Sequence, residues 1–566
     1  MTNYPIPENA AQALLMRLKY VGVDYLFGNA GTDFAPVIEA FANSPLKNLP
    51  MPEALVMPHE TAAIAMAHGY YLATGRAQAA MVHVNVGLAN SVMGLINAKS
   101  DNVPLIMMAG RTPLTEHDRL GSRMTPIQYG QEMFDQAGLV REATKWNYEL
   151  RYPETAADLA DRAYAVANAS PRGPVYLELP REPLAEAWPG DKPVDFPRQS
   201  IPALPAPDAA AIEQAAEWLA GAKNPLVITQ RSDPDKRLGG VLDGFVSDYA
   251  LPVVQHFAIQ NTLAAAHPMN CGYDFGDRLE TADVILAIDA EVPWIQRNHQ
   301  PNENCKVIHV GPDPIFSRMP VRSYKNDLAI VSDPAAAVTA LAGAMGSVGK
   351  ASARFDEIKA ANEKRQATMT ERALQGNGAP MSPPFIAHSI SEYLDDEAMI
   401  FTELGPPPPF LDAKGPHQVF LPPNSGGLGW GVPAALGAAL ANPNRLSIAA
   451  IGDGSYIFCN PVACHQIAEA MKLPILIIVM NNGIWNAVRR AARNVYPDGQ
   501  ADKLNVMPLT SLQPSPDFCQ VAEASRGYAE KVERGGDLSA ALARAVEVIR
   551  TEKRHALLEL MVSVPN

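Results

Sequence analysis

Polar segments follow two apolar runs in the last third of the chain. The run RLSIAAI leads into GDGS (452–455), and the run PILIIVM leads into NN (481–482). Because the carboxyl ends of neighbouring parallel strands meet at one edge of a sheet, where open α/β sheets bind ligands, we expect Asp453 and Asn482 to lie close together. Their hard oxygen atoms suit Mg²⁺, which completes its shell with water and phosphate oxygens. The pattern predicts a magnesium and phosphate site, and the alternative is a tight glycine turn beside a chance pair of asparagines.

Two titratable residues adjoin apolar segments in the first third of the chain. Glu60 stands at the start of the apolar helical stretch TAAIAMAHGYYLA, and His83 follows the apolar run AAMV. Taken alone, these positions are compatible with a solvent-facing glutamate that suits the helix dipole and with a histidine buried in the core.

Predicted strands and helices, which would position these residues, alternate along the whole chain. Short β-branched apolar runs alternate with longer Ala- and Leu-rich stretches, which is typical of parallel sheets covered by helices on both faces. The predicted strands are 25–27, 55–57, 79–84, 104–109, 175–179, 226–229, 252–255, 284–288, 307–310, 399–401, 446–451, 475–479 and 556–561. We therefore predict the α/β class, with three doubly wound parallel-sheet domains.

Two segments divide the chain into these domains. Residues 187–208 are rich in proline and show no hydrophobic periodicity. Further along the chain, a polar helical stretch ends in GNGAPMSPP near residue 380. The predicted domains are 1–186, 209–345 and 381–566, joined by linkers at 187–208 and 346–380.

Composition excludes several classes of function. The 566 residues carry 46 Lys and Arg against 60 Asp and Glu, so the net charge of −14 predicts neither a nucleic-acid partner nor an anionic membrane surface. No apolar run approaches the length of about 18 residues that spans a membrane, and MTNYPIPENA lacks the layout of a signal peptide. The five cysteines form no CxxC motif, which favours reduced thiols. We expect a cytoplasmic protein.

These motifs together resemble those of the thiamine diphosphate-dependent 2-oxo acid decarboxylase and acetolactate synthase family. FGNAGT (27–32) is similar to the family's early FG-x-PG turn, with Ala30 in the usual place of proline. PHETAA (58–63) is similar to the segment that carries its catalytic glutamate, and SGGLG (425–429) to its glycine-rich turn. The resemblance covers nearly the whole chain. It implies a pyrimidine-binding first domain, a Rossmann-like middle domain and a diphosphate-binding third domain.

The resemblance also implies roles for individual residues. Glu60 would hydrogen-bond the coenzyme pyrimidine and activate it, Leu428 would wedge under the coenzyme, and Gly426 would offer a carbonyl to its amine. The Mg²⁺ ligands would be Asp453, Asn482 and the Ile484 carbonyl. The other implied coenzyme contacts are Glu403, Leu404, Gly405, Gly452, Gly454 and Ser455. The prolines at 406–409 depart from the polar residues usual there. Family active sites lie between two subunits, so a homodimer or homotetramer is implied.

Residues near the implied site favour one branch of the family. His83 and Thr32 lie where the benzoylformate decarboxylase branch has a histidine and a serine, and His299 corresponds loosely to a second histidine of that branch. These matches predict an enzyme, a lyase that decarboxylates a small 2-oxo acid, with carboligation as a side activity.

Other residues keep an alternative open. Gln131-Glu132 and a longer GDG-to-NN segment resemble the acetolactate synthase branch, a transferase-type carboligase that condenses 2-oxo acids. Arg111 could bind a substrate carboxylate or form a surface ion pair. No glycine cluster follows the first strand of the middle domain, so FAD is not expected.

Overall fold

All neighbouring strands are parallel in each of three sheets. The structure is a computed structural model, and it describes residues 5–190, 194, 199–346, 352–504 and 507–564. Each sheet is covered by helices and lies in its own third of the chain. The predicted fold class, three parallel-sheet α/β domains, is confirmed.

The first sheet contains six strands. They are β1 (Tyr25–Gly28), β2 (Glu53–Val56), β3 (Gln78–Val82), β4 (Leu105–Arg111), β5 (Asn147–Glu149) and β6 (Val175–Pro180), in the order β2-β1-β3-β4-β6-β5. Its helices are α1 (Ala10–Val21), α2 (Ala35–Lys47), α3 (Glu60–Thr74), α4 (Val84–Ser100), α5 (Ile127–Gly130), α6 (Ala156–Asn168) and α7 (Arg181–Ala185).

The middle sheet contains five strands. They are β7 (Pro225–Thr229), β8 (Val253–Val254), β9 (Val284–Ile288), β10 (Lys306–Gly311) and β11 (Leu328–Val331), in the order β11-β10-β9-β7-β8. Its helices are α8 (Ala209–Gly221), α9 (Arg237–Tyr249), α10 (Arg278–Thr281) and α11 (Pro334–Met345), and the long helix α12 (Ser352–Leu374) follows.

The third sheet again contains six strands. They are β12 (Met399–Glu403), β13 (Val419–Phe420), β14 (Ser447–Gly452), β15 (Leu476–Asn481), β16 (Tyr528–Val532) and β17 (Ala556–Met561), in the order β13-β12-β14-β15-β17-β16. Its helices are α13 (Pro383–Ser391), α14 (Gly431–Ala441), α15 (Asp453–Phe458), α16 (Pro461–Ala470), α17 (Asn486–Val495), α18 (Gln500–Lys503), α19 (Phe518–Glu523) and α20 (Gly535–Glu547).

The first and third sheets have the same strand order when strands are counted within each domain. In both, the chain moves to one side of the first strand and then returns to its other side. This creates a switch point between β1 and β3, and a second between β12 and β14, where open α/β sheets form a ligand crevice. His83 directly follows β3, Glu403 ends β12 and Asp453 follows β14, so the predicted polar segments lie at the two switch points.

Two helices bring the first and third domains into backbone contact. A Cβ atom added to Gly69 of α3 would lie 2.0 Å from the Ala434 carbonyl oxygen, and one added to Gly437 of α14 would lie 2.0 Å from the Met66 oxygen. One buried apolar cluster continues through these helices from one face of the first sheet to one face of the third. The glycines therefore fix the distance between the two switch points.

A buried histidine links all three domains. The His417 ring, in the loop before β13, contacts the Leu72 carbonyl oxygen through Nε2 at 2.7 Å and the Ser232 hydroxyl through Nδ1 at 2.6 Å. Burial lowers the pKa of His417 to about 4, so the ring is neutral near pH 7. A neutral ring can donate from Nε2 to the carbonyl and accept at Nδ1 from the hydroxyl.

The predicted strands all occur, and each observed end lies within two residues of its prediction. Four strands were not predicted, namely β5, β11, β13 and β16, and all four lie at sheet edges. Edge strands pack against fewer neighbours, so a continuous apolar run is not required of them. Parts of the predicted linkers 187–208 and 346–380 lie outside the described residues, and the domain boundaries stay a prediction. Within the described ranges, no helix is both long and apolar enough to cross a membrane.

The crossing of α3 and α14 can be tested with Gly437→Ala. The added methyl group would meet the backbone of α3, and overpacking of this kind costs about 1–3 kcal/mol. We expect a lower midpoint in thermal and urea unfolding. The matched control is Gly244→Ala in α9, where a Cβ atom meets nothing within 4 Å. That variant should be stabilised by about 0.5–1 kcal/mol, and equal behaviour of the two variants would contradict the packing role.

Candidate active site

Asp453 joins the ends of two neighbouring strands of the third sheet. Its Oδ1 accepts the N–H of Gly454 at 2.9 Å, and its Oδ2 accepts the N–H of Gly483 at 2.8 Å. Gly452 pairs with Met480 in the sheet, so the two strand ends lie side by side. The sequence places Asp453 and Asn482 at this edge because each directly follows a buried strand.

The surroundings of Asp453 fit a divalent cation. The side chain is buried, and burial raises its pKa although backbone N–H groups oppose the shift. Among the described residues, no lysine, arginine or histidine forms an ion pair with it. Of the two asparagines, Asn481 is bound to Glu559 at 2.8 Å, whereas Asn482 is only partly buried and its Oδ1 accepts the Ile484 N–H at 3.0 Å. A buried carboxylate without a counter-ion beside amide and carbonyl oxygens is the donor set that Mg²⁺ prefers.

A small cradle adjoins Asp453. A Cβ atom on Gly454 would lie 2.2 Å from the Trp485 ring, so only glycine lets the indole cover this turn. The Ser455 hydroxyl is buried close to the Glu403 carboxylate, and among the described residues it makes no hydrogen bond of good geometry. A buried polar group without a partner costs free energy, which a phosphate oxygen would recover here.

Glu403 holds the glycine-rich turn. Its carboxylate accepts the N–H of Gly429 at 2.6 Å and the N–H of Gly431 at 2.7 Å. The side chain is 1% exposed, and burial raises its pKa to about 7. Glu403 therefore fixes the turn, a role that the sequence did not indicate, and its direct contact with a coenzyme stays a prediction.

The other predicted coenzyme contacts surround this turn. Gly426 is exposed with φ 71°, Leu428 is partly buried, and Leu404 is 50% exposed. Gly405 packs against β14, because a Cβ atom there would lie 2.3 Å from the Ala450 oxygen. These residues line the same switch point as Asp453 and Gly452.

The first domain holds the glycine-rich turn (425–429) through hydrogen bonds. Asn97 of α4 donates to the Gly427 carbonyl at 2.8 Å and accepts the Ser425 hydroxyl at 2.7 Å. Asn97 is 2% exposed, so the hydrogen bonds are shielded from water. No local pattern in the sequence indicates this contact, because Asn97 and Gly427 are 330 positions apart in the chain.

Glu60 begins helix α3 at the edge of the first sheet, as the sequence predicted. Its side chain is 13% exposed, and Asn90 of α4 donates to its Oε2 at 3.3 Å. Its Oε1 lies over Gly87, where an added Cβ atom would be 3.3 Å away. The carboxylate is thus held by α4 with one side towards solvent, which leaves room for a ligand.

His83 contacts an acid that the sequence analysis missed. Its Nδ1 lies 2.5 Å from Oδ1 of Asp33, and its Nε2 lies 3.2 Å from Nε2 of Gln131. The hydrogen bond that the His83 ring donates to Asp33 raises the pKa of His83, against the effect of burial. One sequence feature could have indicated this acid, because Asp33 is the only charged residue in the turn 27–34.

Of the two other predicted catalytic residues, only Thr32 adjoins the pair of Asp33 and His83. Thr32 is exposed beside Asp33, and its carbonyl oxygen accepts from Arg181 at 3.3 Å. His299 lies in the middle domain, with its ring centroid 6.2 Å from that of His256 and 5.7 Å from that of Phe275. No hydrogen bond or ion pair between described residues joins His299 to His83 or Glu60.

Arg111 is occupied by protein carboxylates. It lies 3.0 Å from Glu132, 2.5 Å from Glu149 and 2.9 Å from Glu178. The ion-pair alternative is therefore favoured over binding of a substrate carboxylate. Burial raises the pKa of Glu178 to about 7 even beside this cation.

The predicted residues form two half-sites within one chain. Glu60 and His83 belong to the first, which also contains Asp33, and Asp453 and Asn482 belong to the second. Asn460 and His59 contact at 3.3 Å between the domains, but among the described side chains no hydrogen bond or ion pair joins one half-site to the other.

Three family models match the chain. The N-terminal TPP binding domain of thiamine pyrophosphate enzymes matches residues 8–139, the central domain matches 212–341, and the C-terminal TPP binding domain matches 409–560. The chain belongs to the thiamine pyrophosphate enzyme family. It is thus an enzyme of the family of decarboxylases and carboligases that use this coenzyme, also called thiamine diphosphate.

Curated relatives of the chain fall into both branches of the family. The acetolactate synthase large subunit of Lactococcus lactis is 24% identical, and the alignment covers 98% of this chain and 93% of the relative. The benzoylformate decarboxylase of Pseudomonas aeruginosa is 26% identical over 90% of this chain and 91% of the relative.

Solved structures share the fold. A thiamine diphosphate-dependent 4-hydroxybenzoylformate decarboxylase from Rhodococcus jostii superposes with a TM-score of 0.78 at 22% identity, covering 98% of this chain and 99% of that one. The benzoylformate decarboxylase from Polynucleobacter necessarius gives a TM-score of 0.78 at 20% identity, with 99% of both chains covered.

The role of Glu403 can be tested with Glu403→Ala. The change leaves two buried N–H groups without an acceptor, at a cost of about 1–3 kcal/mol each, so the glycine-rich turn should shift. We expect the Kd for thiamine diphosphate, measured calorimetrically with Mg²⁺ present, to rise at least about tenfold, the equivalent of about 1.4 kcal/mol. The control is Glu397→Ala, whose carboxylate is 70% exposed on the same domain. A wild-type Kd for the Glu403 variant would show that the turn keeps its position without this carboxylate.

Proposed function

We propose that the chain is a Mg²⁺- and thiamine diphosphate-dependent lyase that decarboxylates a 2-oxo acid, with carboligation as a side activity. The observation that carries this proposal is His83, a histidine held by a buried carboxylate near the family's glutamate position. After carbon dioxide leaves, protonation of the remaining fragment gives an aldehyde. Such a protonation needs a group that carries a proton, and the neighbouring carboxylate favours the protonated form of His83 by raising its pKa.

The coenzyme and metal have residues that fit them in the third domain. Asp453, Asn482 and the Ile484 carbonyl would hold Mg²⁺, while Gly454 and Ser455 would contact the diphosphate. Gly426 and Leu428 would contact the rest of the coenzyme. When bound, thiamine diphosphate supplies the carbon nucleophile that attacks the oxo group.

The first domain would supply the groups that move protons. Glu60 would exchange a proton with a pyrimidine nitrogen, since its carboxylate is partly shielded and is held in place by Asn90. His83 would protonate the substrate-derived fragment, with Thr32 exposed nearby to bind the substrate. His299 stays a candidate for a second proton carrier.

Two chains would complete each active site. In one chain the half-sites of Glu60 and Asp453 are not joined by any hydrogen bond or ion pair between described side chains, although α3 and α14 fix their separation. We therefore propose a homodimer or homotetramer, in which the first domain of one subunit faces the third domain of another.

A flavin is not part of the proposal. At the switch point of the middle sheet, Arg231 follows β7 and pairs with Glu291 and with Asp289, the latter at 3.8 Å. Arg231 is 5% exposed, so an ion-pair cluster occupies the place where a pyrophosphate would have to approach the backbone. The two carboxylates would also repel that anion.

One observation favours the alternative, an acetolactate synthase-like carboligase. Gln131, which resembles a residue of that branch, lies 3.2 Å from His83 and thus belongs to the half-site. In this alternative the fragment would add to a second 2-oxo acid instead of taking a proton.

The products decide between the two functions. Holoenzyme incubated with pyruvate or with benzoylformate should release carbon dioxide and the corresponding aldehyde, because His83 is placed to protonate the fragment. The measurement is chromatography with mass detection of both products. Formation of acetolactate without free aldehyde would instead establish the carboligase.

The activation role is tested with Glu60→Ala. We expect the turnover number to fall by about 10²-fold or more, since proton transfer to the coenzyme is lost. Titration calorimetry with Mg²⁺ and thiamine diphosphate should show nearly unchanged binding, because the diphosphate contacts are in the third domain. Glu53→Ala, at an exposed position of β2, is the control. A near-normal rate for the Glu60 variant would refute this role, and no coenzyme uptake by the wild type would refute the proposed function.

A further inference from the structure

Asp33 binds two consecutive residues at the switch point of the first sheet. Its Oδ1 lies 2.5 Å from Nδ1 of His83, and its Oδ2 accepts the N–H of Val84 at 3.3 Å. The Asp33 side chain is 3% exposed and that of His83 is 18% exposed. One carboxylate therefore fixes both the ring of His83 and the backbone that follows it.

Two glycines on separate elements make room for this pair. A Cβ atom on Gly110, in β4, would lie 1.7 Å from Oδ2 of Asp33. A Cβ atom on Gly31 would lie 2.1 Å from Nδ1 of His83. Any larger residue at either position would displace the carboxylate or the ring.

Backbone strain accompanies the contact. Val84 has φ 33°, in the left-handed region that β-branched residues avoid. Such a conformation costs of order 1–3 kcal/mol and persists where the surroundings enforce it, often at functional sites. The hydrogen bond from the Val84 N–H to Asp33 is the contact that compensates here.

The charges around His83 are negative. The charged groups that face the ring are Asp33 from the turn before α2 and Glu60 from α3, while Gln131 is neutral. Among described residues, the only ion pair of Asp33 is with His83. The hydrogen bond to Asp33 and the charge of Glu60 raise the pKa of His83, whereas burial lowers it.

We propose that Asp33 is the positioning residue that makes His83 the proton donor of the active site, with Nε2 as the atom that releases the proton. This inference rests on the proposed function. The proton passes from Nε2 to the substrate-derived fragment and the electron pair stays on that ring nitrogen. The other proton stays on Nδ1, which keeps its hydrogen bond to the ionised Asp33. Gln131 suits both states, since its amide oxygen can accept from the charged ring and its amide nitrogen can donate to the neutral ring.

The first test is the pH dependence of kcat/KM in Asp33→Asn. A step that needs protonated His83 slows as the pH rises through the pKa of its imidazole. Loss of the carboxylate lowers that pKa, so the descending limb should move to lower pH by about one unit or more. An unchanged descending limb would overturn the proposal, because a purely structural defect reduces the rate without moving the limb.

The second test is a double-mutant cycle. His83→Ala should lower kcat by about 10²-fold or more. If Asp33 acts through His83, then adding Asp33→Asn to His83→Ala should change kcat by less than about twofold. Fully multiplicative effects would show that Asp33 acts by another route.

The third measurement needs neither substrate nor activity. NMR titration of ¹⁵N-histidine-labelled holoenzyme should give a His83 pKa above the ordinary value of about 6.5 in the wild type and a lower one in Gly110→Ala. Gly130→Ala is the control, since a Cβ atom there meets nothing within 4 Å, and it should match the wild type. If His83 titrates alike in all three proteins, the proposal fails whatever the enzyme's substrate. If the titration shifts as expected but no 2-oxo acid is decarboxylated, the proposed function fails instead.

Discussion

Three carboxylates without a lysine or arginine partner lie buried at the switch points of the first and third sheets. Asp33, Glu403 and Asp453 are each at most 4% exposed, and within the described residues their partners are backbone N–H groups and one histidine. An isolated buried charge is costly unless it is hydrogen-bonded or neutralised. Each carboxylate therefore requires a fixed local backbone. Asp33 holds the histidine, Glu403 holds the glycine-rich turn, and Asp453 holds the loop that is proposed to bind Mg²⁺.

The contact between α3 and α14 makes these local arrangements depend on one another. Because Gly69 and Gly437 leave the two backbones in contact, the first and third sheets share one apolar core. Asn97 extends the connection from α4 to the glycine-rich turn. A change in the distance between the helices would thus move the turn held by Glu403, so packing far from the chemistry controls the site. The middle domain adds support through Ser232, which contacts His417 at 2.6 Å, and through Arg231, which donates to the Ser100 carbonyl oxygen of the first domain at 2.9 Å.

In the proposed function, the choice between decarboxylation and carboligation would depend on a few polar groups at the edge of the first sheet. Relatives from both branches match this chain at nearly equal identity, 24% and 26%, so overall similarity does not separate the two activities. Asp33 contacts His83 at 2.5 Å, and in the proposed function this pair would supply the proton that releases an aldehyde. Arg111 does not contribute a free cation there, because three glutamates surround it.

The amino-acid sequence alone determined the α/β class, the central strands and the places where Glu60, His83, Asp453 and Asn482 follow those strands. Parallel strands buried on both faces need continuous apolar runs, so the residues that follow these strands can be located from the sequence. The edge strands β5, β11 and β16 were not predicted because their partly exposed residues lack that pattern, and β13 was not predicted because it has only two residues. Only the tertiary structure decided the partners of the polar groups. Asp33 and His83 are 50 residues apart in the chain, and Asn97 and Gly427 are 330 apart. Whether such residues come into contact depends on the order of the strands and the packing of the helices, which no local sequence pattern encodes.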